Sequence, residues 1–251
     1  MPPSFILDIQ GPTATLTLNR PDKHNALDVE TILGLDAAVV ELGMLPGLRC
    51  LMITGTGKSF CAGANLDGVG GQDWRDNPLE RLTERFENLP FPTLCVLNGG
   101  VYGGGTDLAL ACDFRLGVEG MKCFIPPAKL GVHYPPGGLK RAVTRLGLGP
   151  AKRLFLATET MDSAELLRVG FLDWLVAADA LAQRAAELVE TIAGLAPTAV
   201  RGMKRALNEI AAGELDRAAA VERSGASFFS RDHEEAKAAM AERRKPVFTG
   251  N

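Results

Sequence analysis

At 251 residues, 46% hydrophobic and 23% charged, the chain can bury a sizeable core as one large domain or a domain with a subdomain. A net charge of −3 with dispersed Lys and Arg excludes a field able to hold nucleic acid, and with no apolar run near a membrane span and no signal-like N-terminus, no membrane contact and a cytoplasmic location are expected. The five cysteines, without a CxxC pair, read as reduced core thiols, and three histidines with no ligand-spaced cluster lead us to expect no metal.

Phe5 to Gln10 and Thr13 to Asn19 predict two strands joined at Gly11-Pro12, the second alternating as TATLTLN. Arg20 to Ala26 is a polar loop, and Asp28 is placed to cap a helix running to Met44, with Ile32, Leu35, Val39 and Leu42 at helical spacing. Cys50 to Thr54 reads as a buried strand, Gly55 to Ala64 as a glycine-bearing loop, Gly68 to Asn77 as a further loop and Pro78 to Leu89 as an amphipathic helix. Thr93 to Leu97, Phe114 to Val118 and Cys123 to Ile125 are strand candidates, so strands and helices alternate in an α/β core. Beyond Gly137 helices dominate: Leu139 to Leu146, Pro150 to Thr158, Ser163 to Arg168, Asp179 to Leu195, Pro197 to Ala212, Leu215 to Phe229 and Asp232 to Arg243, interrupted by a strand at Trp174 to Val176. The charge run Arg231 to Lys245 reads as a solvated helix face, and the Ala-rich C-terminal stripes suggest packing against another subunit.

Chemistry is most expected at Asn98 to Asp107, NGGVYGGGTD, between the strand ending at Leu97 and a short helix, Thr106 to Cys112. Its glycines leave N–H groups bare at a helix start, where the dipole's positive end stabilises an oxyanion. If Gly104 opens the helix, Asp107, three residues on, lies on the same face as that N–H. The same features also suit an ordinary tight turn with a first-turn acid.

Taken in order, Arg20-Pro-Asp-Lys-His-Asn-Ala-Leu27, Gly55-Thr-Gly-Lys-Ser-Phe-Cys-Ala-Gly-Ala-Asn65, the Asn98 to Asp107 block with Cys112-Asp113, Leu130-Gly131 with Pro135-Pro-Gly-Gly138, and Ala164 through Gly170-Phe-Leu-Asp173 resemble the enoyl-CoA hydratase/isomerase (crotonase) superfamily over nearly the whole chain. The resemblance implies a crotonase-like ββα spiral core over residues 1–195 and a helical trimerisation region over 196–251. It implies a homotrimer, or a hexamer built as a dimer of trimers, that acts on an acyl-CoA thioester, with coenzyme A carried as part of the substrate and no separate cofactor. By the same resemblance Ala64 and Gly104 supply the oxyanion-hole N–H groups for an enolate, and Lys23, His24, Ala26, Ala62, Asn65 and Leu66 hold the adenine and pantetheine ends of CoA.

Two departures from the family pattern stand out. Related hydratases use two glutamates; here the first position is Asp107, one methylene shorter, and the second falls on Pro127, which has no titratable group. Asp67, His133 or Tyr134 are the groups left to substitute. Tyr134 after Leu130-Gly-Val-His, with the closing Lys245-Pro-Val-Phe248, resembles the methylmalonyl-CoA decarboxylase branch, where loss of CO2 makes the enolate without a base. Hydration or isomerisation with Asp107 as acid or base is therefore the main reading. Decarboxylation of a malonyl- or methylmalonyl-type thioester and a catalytically inactive acyl-CoA-binding protein are the alternatives.

Overall fold

The computed structural model describes residues 2–64 and 76–251. Its chain opens with the expected hairpin, β1 (Phe5–Gln10) paired antiparallel to β2 (Thr13–Leu18). The alternation in β2 sends Ala14, Leu16 and Leu18 into the core and leaves its threonines half-buried on the other face. α1 (Val29–Met44) starts where Asp28 accepts a hydrogen bond from the Thr31 N–H, and it buries Ile32, Leu35, Val39 and Leu42.

The chain then winds as a spiral in which each turn lends one strand to each of two sheets. β3 (Cys50–Gly55), β5 (Thr93–Leu97) and β7 (Phe114–Val118) run parallel to β2, and with β10 (Trp174–Val176) they form a sheet of order β1-β2-β3-β5-β7-β10. After each of those three, the chain crosses to a short strand of the other sheet: β4 (Ser59–Cys61), β6 (Gly100–Tyr102) and β8 (Lys122–Phe124), ordered β4-β6-β8-β9 with β9 (Met161–Asp162). α2 (Pro78–Glu87), α3 (Gly104–Ala111) and α4 (Pro136–Leu146) complete the successive turns. β5 is buried throughout, as befits a strand covered on both faces, and α3 is buried from Gly105 to Ala111.

β4, β6 and β9 correct the sequence reading, which takes Gly55 to Ala64 as loop and Asn98 to Gly105 as turn and leaves Met161–Asp162 outside any element. Each is only two or three residues long, too short for a period to register, and its extended form comes from ladder partners remote in sequence. The loop expected over Gly68 to Asn77 falls, up to residue 75, outside the described residues.

α5 (Leu148–Phe155), α6 (Ser163–Arg168), α7 (Leu181–Ala193), α8 (Pro197–Ala212), α9 (Arg217–Ser227) and α10 (Arg231–Glu242) follow, with ends shifted by up to three residues from expectation. α8 is anchored by Lys204, whose buried ammonium lies 2.6 Å from Asp113 Oδ2 and donates to Phe91 O at 2.9 Å. Asp232, expected in a solvated face, is instead buried and accepts the Thr249 and Gly250 N–H groups, pinning the tail to α10. No helix among the described residues is long and apolar enough to cross a membrane.

Candidate active site

The loop Arg20 to Ala26 is clipped to the spiral by Asn25. This residue is left-handed (φ 56°) and 1% exposed, and its Nδ2 donates to the carbonyls of Thr56, Ser59 and Phe60 at 2.9–3.1 Å while Oδ1 accepts the Arg20 N–H at 2.8 Å. The backbones then zip together: Ala62 N–H donates to His24 O and Leu27 N–H to Gly63 O, each at 2.9 Å, and Leu27 bridges Ala64 in parallel. Lys23, His24 and Ala26 therefore flank Ala62 and Ala64, with Lys23 and His24 exposed and His24 Nδ1 3.1 Å from Ser59 Oγ. Asn65 and Leu66, and Asp67 with them, lie outside the described residues.

Two backbone N–H groups meet beside this seam. α3 begins at Gly104, so the N–H of Gly104 is one that the helix itself leaves unpaired. Gly103 before it has φ 51° and Gly63 φ 89°, and both backbones approach closely; a Cβ on Gly63 would lie 2.9 Å from Gly104 N, and one on Gly104 would lie 3.3 Å from Ala64 N. Among the described residues, the N–H groups of Ala64 and Gly104 make no hydrogen bond to a protein acceptor. Leu79, in the first turn of α2, packs over Gly104, its Cδ2 2.5 Å from where a Gly104 Cβ would stand. Paired donors at a helix start under an apolar roof are suited to an oxygen that gains negative charge.

Asp107 sits one turn into α3, as expected, 3% exposed. Its environment is less so. Arg141 Nε of α4 donates to Oδ1 at 2.9 Å, and Thr83 Oγ1 of α2 donates to Oδ2 at 3.3 Å. Arg141 also donates to Thr83 Oγ1 at 2.7 Å and to Glu87 Oε2 at 2.6 Å. Burial opposes the Arg141 charge, yet Asp107 and Glu87 together hold the guanidinium above its ordinary pKa.

Tyr134 is buried with its ring edge-on to Phe155, centroids 4.8 Å apart, and its hydroxyl donates to Gly103 O at 3.1 Å, one residue before the Gly104 donor. Burial, reinforced by the Asp107 charge, holds that hydroxyl well above the usual tyrosine pKa, so it acts as a neutral donor. Pro127 opens a short 3₁₀ turn, Pro127–Leu130, and brings no acid to the site. His133 Nδ1 lies 2.7 Å from Tyr134 O and the residue is exposed. Cys61 and Cys123, buried beneath the site, are pushed up to about 12 by desolvation and remain thiols.

Sequence reasoning passes over Arg141, Thr83, Glu80 and the clip by Asn25. Arg141 carries the clearest signal: it lies one turn after Gly138 and next to Ala142, both buried, where a lone buried cation requires a carboxylate partner.

The sequence model that describes the enoyl-CoA hydratase/isomerase family matches residues 8–251 of this chain. The short-chain-enoyl-CoA hydratase of Clostridium acetobutylicum is 30% identical over 250 residues, covering 96% of each chain. The crotonyl-CoA hydratase of Syntrophomonas wolfei is 32% identical over 256 residues, covering 98% of this chain and 97% of its own. A crystal structure described as an enoyl-CoA hydratase/carnithine racemase from Magnetospirillum magneticum superposes with a TM-score of 0.94 at 27% identity, over 99% of this chain and 96% of that one.

Proposed function

The chain belongs to the enoyl-CoA hydratase/isomerase family, and from that premise we propose that it converts an enoyl-type acyl-CoA thioester through an enolate held by the N–H groups of Ala64 and Gly104. The observation that supports this reading is the proximity of the Ala64 N–H to the Gly104 N–H at the start of α3, neither of them bonded to a protein acceptor among the described residues. When the thioester carbonyl accepts electron density from its α-carbon, its oxygen becomes the anion such a pair favours, each donor being worth about 3 kcal/mol. Coenzyme A is part of the substrate, its nucleotide end running along Lys23, His24, Ala26 and Ala62.

Asp107 serves as the carboxyl group beside the hole. Its carboxylate accepts from Arg141 and Thr83, which fix its orientation, so it orients water or the α-carbon by its acceptor lone pairs. Tyr134 keeps the carbonyl of Gly103, and with it the Gly104 N–H, in place. A trimer is part of the proposal, supported by exposed Leu207, Ile210, Val221 and Phe229 on or beside the C-terminal helices, and reduced thiols support a cytoplasmic setting.

The test is turnover of crotonyl-CoA to the 3-hydroxyacyl product and of a 3-enoyl-CoA to its 2-enoyl isomer, followed by thioester absorbance. Activity in either assay that falls at least ~100-fold in Gly104→Ala is expected. No turnover of either, with CO2 released from methylmalonyl-CoA, would replace this reading with decarboxylation. Tight binding with no product from any thioester would make the chain a binding protein.

A further inference from the structure

We infer that Glu80 is the proton-carrying carboxylate of this site, standing in for the acid that Pro127 cannot supply. The inference rests on the acyl-CoA reading above.

Glu80 occupies the third position of α2, after the N-cap Asn77, where a glutamate ordinarily bends back to the cap's own N–H. Here it does not: Oε1 accepts the Gly137 N–H of α4 at 2.6 Å, and among the described residues Oε2 has no hydrogen-bond donor. Glycine at 137 makes this approach possible, since a Cβ there would lie 2.7 Å from Oε1.

The neighbours of Glu80 bracket the reacting centre. Leu79, the residue before it, packs over Gly104, beside Ala64 N. Thr83, one turn later on the same face, donates to Asp107 Oδ2 at 3.3 Å. On the α4 side, Gly138 follows the Gly137 that holds Glu80, and a Cβ on Gly138 would stand 3.1 Å from Asp107 Oδ2 and 2.4 Å from the Tyr134 ring. Glu80 is thus half-buried among the residues that flank the paired N–H groups and Asp107, with Oε1 held by Gly137 and Oε2 without a donor among the described residues. Asp107 and Glu80 divide the labour accordingly: the first is paired with Arg141, and the second, among the described residues, accepts only the neutral Gly137 N–H.

One such carboxylate suffices for either family reaction. In isomerisation, Glu80 takes the proton from the α-carbon of a 3-enoyl thioester, and the C–H electrons pass into the enolate. The same proton then returns to the γ-carbon as the enolate collapses to the conjugated 2-enoyl product. In hydration, Glu80 takes a proton from water as the oxygen bonds to the β-carbon, and then delivers that proton to the α-carbon of the enolate. Nothing else is consumed in either case.

Glu80→Gln keeps an oxygen for the Gly137 N–H and removes only the titratable group. We expect kcat to fall ~100-fold or more in Glu80→Gln, with crotonyl-CoA dissociation constants within about threefold of the parent and circular dichroism unchanged. Loss of deuterium uptake at the α-carbon of a bound saturated acyl-CoA in D2O, and partial recovery of turnover in Glu80→Asp, complete the expected result. If Glu80→Gln turns over within about threefold of the parent, Glu80 is only a cap for α4 and the inference fails while the acyl-CoA assignment stands. If the parent itself neither turns over enoyl-CoA nor exchanges the α-proton, the assignment fails and takes the role of Glu80 with it.

Discussion

Arg141 of α4 donates through Nε to Asp107 Oδ1 of α3 at 2.9 Å, and both side chains are sealed from water at 3% exposure. Two helices that meet through a buried ion pair hold the Gly104 N–H and the Asp107 carboxylate in one rigid unit. Removing one partner leaves the other charge stranded, and breaking such a pair costs about 3–5 kcal/mol. Arg141→Met is expected to lose stability of that order, because it strands Asp107 and also frees Glu87, whereas adding Asp107→Asn to it should recover part of the loss. Urea unfolding of the single and double variants checks this, and full additivity would mean that the two groups are uncoupled.

Gly104→Ala separates packing from chemistry. The new methyl would stand 2.5 Å from Leu79 Cδ2, so the variant should unfold at lower temperature, and Leu79→Ala in the same chain should restore much of that loss. Turnover should not return with it, because the methyl still lies 3.3 Å from Ala64 N, in the space the oxyanion needs. Measured on both variants, the melting temperature should fall and then recover in the double variant, while kcat falls and stays low.

For Tyr134→Phe the ring contact with Phe155 survives and only the bond to Gly103 O is lost. A stability loss of about 1 kcal/mol and a fall in kcat of less than ~10-fold are expected. A loss of several hundredfold, seen in stopped assays, would instead mean that the hydroxyl touches substrate.

Asn25→Ala removes the clip between the Arg20 loop and β4, along with a side chain well suited to its left-handed backbone. About 2–3 kcal/mol of stability should be lost through unpaired carbonyls, and KM for the thioester should rise more than kcat falls, since the loop that carries Lys23 and His24 moves away from Ala62.

Alkaline pH should unfold the protein through its thiols. Burial raises Cys50, Cys61 and Cys123 from 9.0 to about 12, so the folded state keeps protons that the unfolded chain releases. Their contribution is fully present below about pH 9 and is lost as pH climbs towards about 12. Denaturant midpoints should fall across that window, and less steeply in Cys61→Ala/Cys123→Ala. A thiol reagent at neutral pH should find the native cysteines inert.

Local patterns in the chain carry much of this molecule. Alternation in Thr13–Leu18, helical spacing from Ile32 to Leu42 and the buried run Thr93–Leu97 each determine their own element, because one buried face repeats at the period of its backbone. The glycines before Asp107 likewise announce a bare helix start, since backbone freedom is written in residue type. What tertiary structure alone decided is who meets whom. β4 and β6 are extended only because they pair with each other across the spiral, and a three-residue strand has too few positions to show a period. Arg141 reaches Asp107 across 34 positions and Glu80 reaches Gly137 across 57. Sequence supplied Asp107 one turn after the Gly104 N–H, but only the packing of α2, α3 and α4 put a cation on Asp107 and brought Glu80 to Gly137, because pairing in space depends on how helices dock and not on any local propensity.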